Sequence, residues 1–419
     1  MVLTASSTVV DPAKYLPPGM VNVVNLAVTF ASRLHYRIFI VGGVVRDLLL
    51  HRPVNEIDFA VEGDAIQLAN RVAVSTGARL KTHGRFGTAK LDLGDFTVDL
   101  ATCRREYYHR PGALPDVSRG SIEEDLYRRD FTINALAISI NRGSIGKIYD
   151  PYGGLEDLNR RYIRIIHPRS FIDDATRLWR AVRYQQRLGF RFEPATLRRM
   201  RQDAGMLDTI SSDRLRHEIE HVLSEQKPEL VLRRAWRIGL LGKVQQSLVI
   251  DPWIAGCYRR ARRTLPSAGL PLAYLALLSC RLKKESVEAV VTRLRLPERQ
   301  SKIIRESAAV YRYLGRLGAG GLKPSRIYAI LRAYSPVSLH IIALAAPPST
   351  RRVICHYLEH LRLVKPFLTG NDLKRLGVAS GPEIGKALDD LLAAKLDGEV
   401  IDRAGELAFI RCRLRGKQR

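Results

Sequence analysis

Cysteine is scarce in this chain of 419 residues. Its five cysteines are odd in number, lie far apart and never form a Cys-x-x-Cys pair. This usage argues against a disulfide framework and against a cysteine-rich zinc site. We therefore expect the cysteines to be reduced and mostly structural.

Long apolar runs are also absent. No stretch approaches the roughly 18 uncharged apolar residues that a membrane-spanning helix needs. The N-terminal segment carries Asp11 and Lys14 but lacks the charged start, apolar core and small-residue cleavage site of a secretory signal. The sequence therefore predicts no membrane partner and a cytoplasmic location.

Acidic residues are too few to balance the basic ones. Asp and Glu number 42 against 68 Lys and Arg, which gives a formal net charge of +26 and an isoelectric point near 10.2. This excess favours a polyanionic partner, and without a membrane segment we expect nucleic acid. The hydrophobic share of 46% is typical of a folded protein. The length suits several domains of about 150 residues each.

The pattern of the chain changes near residue 150. Before that point short apolar runs alternate with Gly and polar residues, as in Tyr36 to Val41 and Glu56 to Val61, which predict strands. Residues 86–93 and 96–101 predict an antiparallel pair. The polar segment 104–125 is rich in Pro and Gly and predicts a mobile loop. Beyond it, helical periodicity dominates, beginning with a helix over 172–189.

Two short motifs can carry phosphate chemistry. Gly42 and Gly43 lie between a predicted strand and helix, where backbone N–H groups and Arg46 can approach an anion. Glu56 and Asp58 are two residues apart on a strand, so both point to one face and can hold divalent cations. Asp99 can add a third carboxylate from a neighbouring strand, a set that suits two Mg²⁺ ions. Taken singly, each motif is equally compatible with a simple turn or a solvated strand end.

A resemblance joins these motifs to later ones. GGVVRD, EIDFAVEGDA, FGTAK, VDLAT, EEDLYRRDFTINALA and FIDDATRLWRAVRYQQRLGF occur in the order and spacing of the class II tRNA nucleotidyltransferase and bacterial poly(A) polymerase family. The similarity covers about residues 36–225, with a weaker echo at 369–398.

The resemblance implies an α+β fold, in which a head with a mixed sheet precedes an all-α neck, body and tail. The expected parts are a helical lead-in, the catalytic nucleotidyltransferase head, a neck that recognises the base, and a helical body and tail that bind tRNA. Their expected boundaries are 1–35, 36–150, 151–225, 226–365 and 366–419.

The resemblance also implies roles for single residues. The catalytic and metal-binding set falls on Glu56, Asp58 and Asp99, although the first position is usually Asp and here is Glu. The resemblance implies contacts with the ribose and phosphates at Arg128, Arg129, Asp130 and Asn134. It implies recognition of the incoming base at Asp173, Asp174 and Arg177.

The base-reading role has a physical basis of its own. Asp174 and Arg177 are three residues apart, so on a helix their side chains meet on one face and present an acceptor beside donors. Cytosine and adenine each offer an exocyclic amino group next to a ring acceptor. Uracil and guanine place a carbonyl there, which would leave a buried carboxylate unpaired. An ordinary salt bridge between the two residues is the plain alternative.

Arginine recurs every three or four residues along the same predicted helix. Arg177, Arg180, Arg183 and Arg187 share one face, where they repel each other unless an anion is present. We assign Arg180 and Arg183 to nucleotide binding. Further clusters at 198–201 and 259–263 predict phosphate contacts with tRNA that weaken as salt is added.

One competing motif is His217-Glu218-x-x-His221, the pattern of zinc proteases. The pattern is short and lies within a helix dense in Arg and Glu, so we expect no zinc.

The expected function is template-independent addition of C and/or A residues to the tRNA 3′ end from CTP and ATP, with release of pyrophosphate. The motifs leave open a poly(A) polymerase and an enzyme restricted to A or to CC addition. A non-enzymatic RNA-binding protein is the alternative from another class.

Overall fold

The computed structural model describes residues 9–416, which form two compact units. The first unit ends at Val222 and also takes in Arg237–Lys243, and the second comprises Leu223–Trp236 and the chain from Val244 onward. The predicted α+β class is confirmed, because a mixed sheet is followed by a mainly helical part of the chain. The finer division into five parts stays a prediction.

The first unit is built on a seven-stranded sheet with the order β3-β4-β5-β2-β1-β8-β9. β2 and β5 are parallel, and the other neighbours are antiparallel. The strands are β1 Arg37–Val41, β2 Glu56–Glu62, β3 Arg79–His83, β4 Thr88–Asp92, β5 Thr97–Thr102, β8 Ala137–Ser139 and β9 Ile148–Tyr149. β3 was not predicted, because its sequence RLKTH has no apolar alternation and its side chains are largely exposed.

The two faces of this sheet are covered differently. α1 (Pro18–Arg33) and α3 (Ala65–Thr76) pack together, and α3 also packs on β3, β4 and β5. On the opposite face, Phe39 and Ala60 pack against α4 (Ile122–Tyr127). Alternation along each strand fixes this division, because successive side chains point to opposite faces. Glu56 and Asp58 belong to the same face as Ala60.

The segment 104–125 is not the continuous loop that we predicted. β6 (Arg104–Tyr107) and β7 (Asp116–Arg119) pair as an antiparallel hairpin, and α4 begins at Ile122. The two strands are short and carry charged side chains, so they lack the apolar alternation that predicts a strand. Its connection is pinned at Gly112, whose φ is +74°. A Cβ at Gly112 would lie 2.3 Å from the Thr209 carbonyl oxygen.

The remainder of the first unit consists mainly of short helices, with one small parallel strand pair. The predicted helix over 172–189 is interrupted at Asp174, whose extended backbone separates α6 from α7, and it ends at Gly189 in the left-handed conformation. The elements are α2 Gly43–Leu49, α5 Gly154–Arg160, β10 Tyr162–Ile163, α6 Ser170–Asp173, α7 Thr176–Leu188, β11 Arg191–Phe192, α8 Pro194–Gln202 and α9 Ser212–Leu223.

The second unit is helical throughout its described residues. Pro commonly stands at or just before the first helical position, where its missing N–H costs nothing. The helices are α10 Pro228–Ile238, α11 Pro252–Thr264, α12 Leu270–Ser279, α13 Lys284–Arg293, α14 Glu298–Tyr311, α15 Leu314–Gly318, α16 Pro324–Leu331, α17 Pro336–Ala343, α18 Pro348–Glu359, α19 Gly370–Arg375, α20 Pro382–Leu396 and α21 Arg403–Gly416. Among the described helices none is long and apolar enough to cross a bilayer.

The last three helices share a small core that depends on one buried carboxylate. Leu373, Leu391 and Ile410 form the apolar centre. Beside it Glu406 is fully buried and accepts hydrogen bonds from the Phe367 and Leu368 N–H groups at 2.9 and 2.8 Å. The Lys395 ammonium adds a bond of 3.1 Å. Glu406, on α21, therefore links Phe367 and Leu368, which precede these helices, to α20 and α21.

Replacing Glu406 with Ala is expected to lower the free energy of unfolding by about 3 to 5 kcal/mol, because Lys395 and two backbone donors lose their acceptor. Asp389→Ala is the matched control, since Asp389 forms an exposed pair with Arg332 that is worth about 0 to 1 kcal/mol. Urea unfolding followed by circular dichroism gives both values. Equal losses in the two variants would contradict the role given to Glu406.

Candidate active site

The first unit contains a cleft of about 910 Å³ beside the ends of β2 and α2. Its lining is dominated by charge, with eight arginines set among seven carboxylates. The arginines are Arg46, Arg104, Arg128, Arg129, Arg177, Arg180, Arg187 and Arg214. The carboxylates are Asp47, Glu56, Asp58, Glu106, Asp130, Asp174 and Glu218.

The predicted metal carboxylates meet where β2 and β5 run side by side. Glu56 and Asp58 line the cleft, and Asp58 lies directly opposite Asp99 in the parallel register. Asp99 itself does not line the cleft, and its carboxylate is bound by the Lys90 ammonium at 2.9 Å. The three acidic residues are therefore neighbours, but one of them already has a cation.

Asp58 is partly buried and lies close to two other carboxylates. Burial and the adjacent Glu56 carboxylate, with a further contribution from Asp99, raise the pKa of Asp58 to about 6, against the opposing effect of Arg129. Oxygen donors in this setting fit a hard divalent cation, which would relieve the repulsion. Within residues 9–416 no group of three or more His, Cys, Asp or Glu side chains is already arranged to hold a metal. The donor set thus fits a cation through Glu56 and Asp58, with Asp99 occupied by Lys90.

Arg128 and Arg129 are held by Asp125 at the end of α4. Arg128 donates two hydrogen bonds to Asp125 Oδ1, at 3.0 and 2.7 Å, and Arg129 donates one to Oδ2 at 2.9 Å. The Arg129 Nε is buried and has no hydrogen-bond partner in the described part of the chain. An unused donor on the cleft wall suits a phosphate oxygen, since buried donors are rarely left unpaired.

Asp130 is the centre of a second network. Its Oδ2 accepts two bonds from Arg180, at 2.9 and 2.7 Å, and its Oδ1 accepts from the Asn134 amide at 2.9 Å. Burial alone would raise the pKa of Asp130, but Arg180 and Asn134 outweigh it and hold the pKa below its usual value. Asn134 also accepts from Arg46 at 2.6 Å. The motif assigned to ribose and phosphate contacts is therefore one continuous hydrogen-bonded unit.

Arg46 lines the cleft, but the carboxylate of the next residue, Asp47, balances its positive charge. Asp47 accepts from its Nε at 3.0 Å and from its Nη2 at 2.7 Å. The glycine before α2 is equally constrained, because Gly42 has a φ of +76° and a Cβ there would lie 2.6 Å from Arg129 Nη1. The predicted anion cradle is thus a tight turn packed against Arg129.

The predicted pairing of Asp174 with Arg177 is wrong. Asp174 precedes α7 rather than lying on it, so helical spacing does not apply. Its Oδ1 accepts from the Thr176 N–H and hydroxyl and from Arg214 Nη2 at 2.7 Å. Arg177 is buried and donates instead to Ser170 Oγ at 2.7 Å and to the Arg128 carbonyl oxygen at 2.6 Å.

Four predicted site residues lie outside the cleft lining. Gly42 packs against Arg129, and Asp99 lies beside Asp58 on the neighbouring strand. Asp173 is on α6 with His167 and Arg169 as ionic neighbours, at 3.9 and 3.5 Å. Arg183 pairs with Glu218 at 3.3 Å.

Many lining residues were not among the predicted site residues, and Tyr184, Glu106 and Arg214 are examples. Tyr184 has three guanidinium groups within 6 Å of its ring centre, from Arg46 at 5.2 Å, Arg180 at 5.5 Å and Arg183 at 5.8 Å. Glu106 accepts from Arg104 and Arg128, and Arg214 binds Asp174. Only Tyr184 gave a usable signal, as an aromatic ring within the arginine repeat of α7.

The His-Glu-x-x-His motif lies on α9, where one helical turn separates its two histidines. His217 and His221 approach each other with 2.9 Å between their Nε2 atoms. Glu218 is buried and lies against Arg183, where it lines the cleft.

Comparisons with known proteins agree with this geometry. Residues 38–164 match the profile described as the poly A polymerase head domain, and residues 189–248 match one described as a probable RNA and SrmB-binding site of polymerase A. The chain is 36% identical over 413 residues to an A-adding tRNA nucleotidyltransferase of Geobacter sulfurreducens, covering 94% of this chain and 47% of that protein. It is 30% identical to another A-adding enzyme, from Halalkalibacterium halodurans, covering 91% of this chain and 90% of that one.

A solved structure described as a CCA-adding enzyme in apo form II matches with a TM-score of 0.81 and 30% identity, over 97% of this chain and 100% of that one. Other relatives are named CC-adding and CCA-adding enzymes. Further structures of the kind are described as complexes with ATP, CTP and tRNA.

The mixed sheet, the carboxylates on β2 and the arginine-lined cleft define a nucleotidyltransferase head joined to helices. The chain belongs to the class II tRNA nucleotidyltransferase and poly(A) polymerase family. It spans about half the length of the Geobacter and Aquifex relatives that it matches, at 47% and 44%.

Replacing Asp130 with Asn is expected to lower the free energy of unfolding by about 3 kcal/mol at pH 7, because Arg180 loses its ionic partner. The pKa of Asp130 is depressed in the folded chain, so its stabilisation is present above the ordinary Asp pKa of about 4 and is lost as pH falls through the folded value. The difference between wild type and variant should therefore shrink below about pH 4.

Urea titrations at a series of pH values measure this difference. Asp116→Asn serves as the control, since Asp116 is exposed. A gap that stays constant down to pH 3 would show that Asp130 stabilises the fold without its charge.

Proposed function

We propose that the protein adds C and/or A residues to the 3′ end of tRNA from CTP and ATP without a nucleic acid template. In this reaction the terminal ribose 3′-hydroxyl attacks the α-phosphate, the bond to the β-phosphate breaks and pyrophosphate leaves. The observation that carries the proposal is the position of Glu56 and Asp58 at the edge of a cleft lined by arginines. Family membership and relatives that carry names for this chemistry support it.

The chain's own residues divide the work. Glu56 and Asp58 would hold divalent Mg²⁺, with Asp99 as a third ligand once Lys90 is displaced. When bound, the metal aligns the hydroxyl with the α-phosphate and neutralises the departing pyrophosphate. Arg129 offers its unpaired Nε to a phosphate oxygen. Holding the reactants together accounts for much of the rate in such transfers, because little covalent chemistry is left to the protein.

Base selection is proposed to centre on Asp174. Its three hydrogen bonds all fall on Oδ1, which leaves Oδ2 to accept from the exocyclic amino group of cytosine or adenine. Arg214 fixes the carboxylate, and Arg177 is held too tightly by Ser170 to replace it. A carbonyl from uracil or guanine would face Oδ2 and leave both acceptors unpaired.

The helical part of the chain is proposed to bind tRNA through its shape and phosphates. The net charge of +26 supports this, as do neighbouring structures described as complexes with tRNA. Because tRNA and nucleoside triphosphates are found together in the cytoplasm, we place the protein there.

Restriction to A addition is the second candidate. It is favoured by relatives named A-adding enzymes at 36%, 34% and 30% identity. Poly(A) polymerase and CC addition remain alternatives that share the head. A non-enzymatic RNA-binding protein would bind tRNA without incorporating nucleotide.

The decisive experiment offers tRNA that ends before CCA, after C or after CC, with each labelled nucleoside triphosphate in turn. We expect AMP incorporation on tRNA ending in CC and discrimination of at least about 100-fold against UTP and GTP, as a buried unpaired acceptor predicts. CMP incorporation on the shorter tRNAs separates CCA addition from A addition. Equal use of all four nucleotides would contradict the role of Asp174.

Asp58→Ala is expected to lower the rate of incorporation by about 1,000-fold, since several kcal/mol of charge stabilisation depend on the metal. Binding of tRNA should change by less than about two-fold, because Asp58 is a single, partly buried carboxylate on the central strand β2 and offers no positive charge to tRNA phosphates. Single-turnover incorporation and filter binding measure the two effects. Retained activity would remove Asp58 from the metal site.

A further inference from the structure

We propose that Lys90 is a built-in competitor of the catalytic metal, which occupies Asp99 when no divalent cation is bound and thereby sets the metal affinity. The inference rests on the proposed metal site at Glu56 and Asp58. It assigns to Lys90, a residue outside the cleft lining, a positioning role toward that site.

The register of the sheet places Lys90 where it must meet the carboxylates. Lys90 on β4 is directly opposite Asp99 on β5, and Asp99 is directly opposite Asp58 on β2. Because residues opposite each other share a face, all three side chains project on the same side of the sheet. The ammonium reaches the Asp99 Oδ2 at 2.9 Å.

The local charge shows why a cation is held there. Glu56, Asp58 and Asp99 bring three carboxylates onto one face of two neighbouring strands, and the Lys90 ammonium is bound to one of them, Asp99. Lys90 thus supplies the positive charge at this edge of the acidic group. A divalent cation needs the same oxygens, so the ammonium and the metal cannot both be bound to Asp99 in this arrangement.

The pair is also weak enough to be displaced. The side chains of Lys90 and Asp99 are 47% and 41% exposed, and ion pairs in such settings stabilise little. A metal ion with two positive charges therefore displaces Lys90 at a modest cost in affinity. The ammonium keeps the third carboxylate in position and neutralised until the metal arrives.

The test is titration of the full chain with Mn²⁺, with free Mn²⁺ measured by electron paramagnetic resonance. Lys90→Met is expected to tighten Mn²⁺ binding about two- to five-fold, the worth of an exposed pair. Lys90→Arg keeps the charge and should leave the affinity within about two-fold of wild type.

Lys81→Met is the matched control. Lys81 on β3 lies directly opposite Lys90 on the same face, one strand further from the carboxylates. Both variants lose one positive charge from the same sheet, so a general effect of net charge would tighten Mn²⁺ binding equally in both. Direct competition predicts tightening in Lys90→Met alone.

A double-mutant comparison identifies Asp99 as the shared ligand. In an Asp99→Asn background, Lys90→Met should no longer change the Mn²⁺ affinity. Unchanged or weaker binding in Lys90→Met alone overturns the inference, and so does tightening that persists without Asp99. Thermal melts confirm that each variant is folded before titration.

Glu56→Gln and Asp58→Asn distinguish failure of the inference from failure of the metal site. If neither weakens Mn²⁺ binding, the proposed metal site is wrong. If both weaken it and Lys90→Met has no effect, the metal site stands and Lys90 is an ordinary cross-strand partner.

Discussion

Mutual repulsion among arginines is the constraint on which the active-site unit depends. Eight guanidinium groups surround one cleft, and none of them can lose its charge at neutral pH. The chain resolves this by giving most of them an internal carboxylate. Asp47 holds Arg46, Asp130 holds Arg180, and Asp174 holds Arg214.

Within residues 9–416, two carboxylates of the lining, Glu56 and Asp58, are left out of this pairing with arginines. Glu56 and Asp58 have no arginine bound to their carboxylates in the described structure, so they present negative charge where the rest of the lining is balanced. Burial, together with the neighbouring Glu56 and Asp99 carboxylates, raises the pKa of Asp58. A site of this kind attracts a divalent cation at one end while unpaired donors such as Arg129 Nε attract phosphate beside it.

The fold was largely predictable because its strands and helices carry strong patterns. EIDFAV alternates as a strand, and Gly189 ends α7 in the conformation that a left-handed cap requires. β3 escaped because a largely exposed strand leaves no apolar signature. The hairpin within 104–125 escaped for the same reason, since charged cross-strand partners are indistinguishable in sequence from a polar loop.

Within the cleft, sequence patterns predicted the arrangement of residues that lie close in sequence, but not the contacts between distant ones. The face shared by Glu56 and Asp58 follows from strand geometry. By contrast, Arg214 reaches Asp174 across 40 residues, and no local spacing reveals that contact. The break before α7 also moved Asp174 off the helix, so its ionic partner is Arg214 and not Arg177, which helical spacing had indicated.

The anchoring of the β6–β7 hairpin sets a limit on how this protein can be altered. Gly112 touches the Thr209 backbone so closely that no side chain fits, and its carbonyl oxygen accepts from Arg214, which in turn holds Asp174. The connection between β6 and β7 is therefore anchored at Gly112 and is not a free surface loop. Its length tolerates insertion or deletion less than most loops do, because a change would be transmitted through Arg214 to the Asp174 carboxylate. A chimera between relatives must accordingly exchange the β6–β7 hairpin together with the segment that contains Thr209 and Arg214, which it contacts.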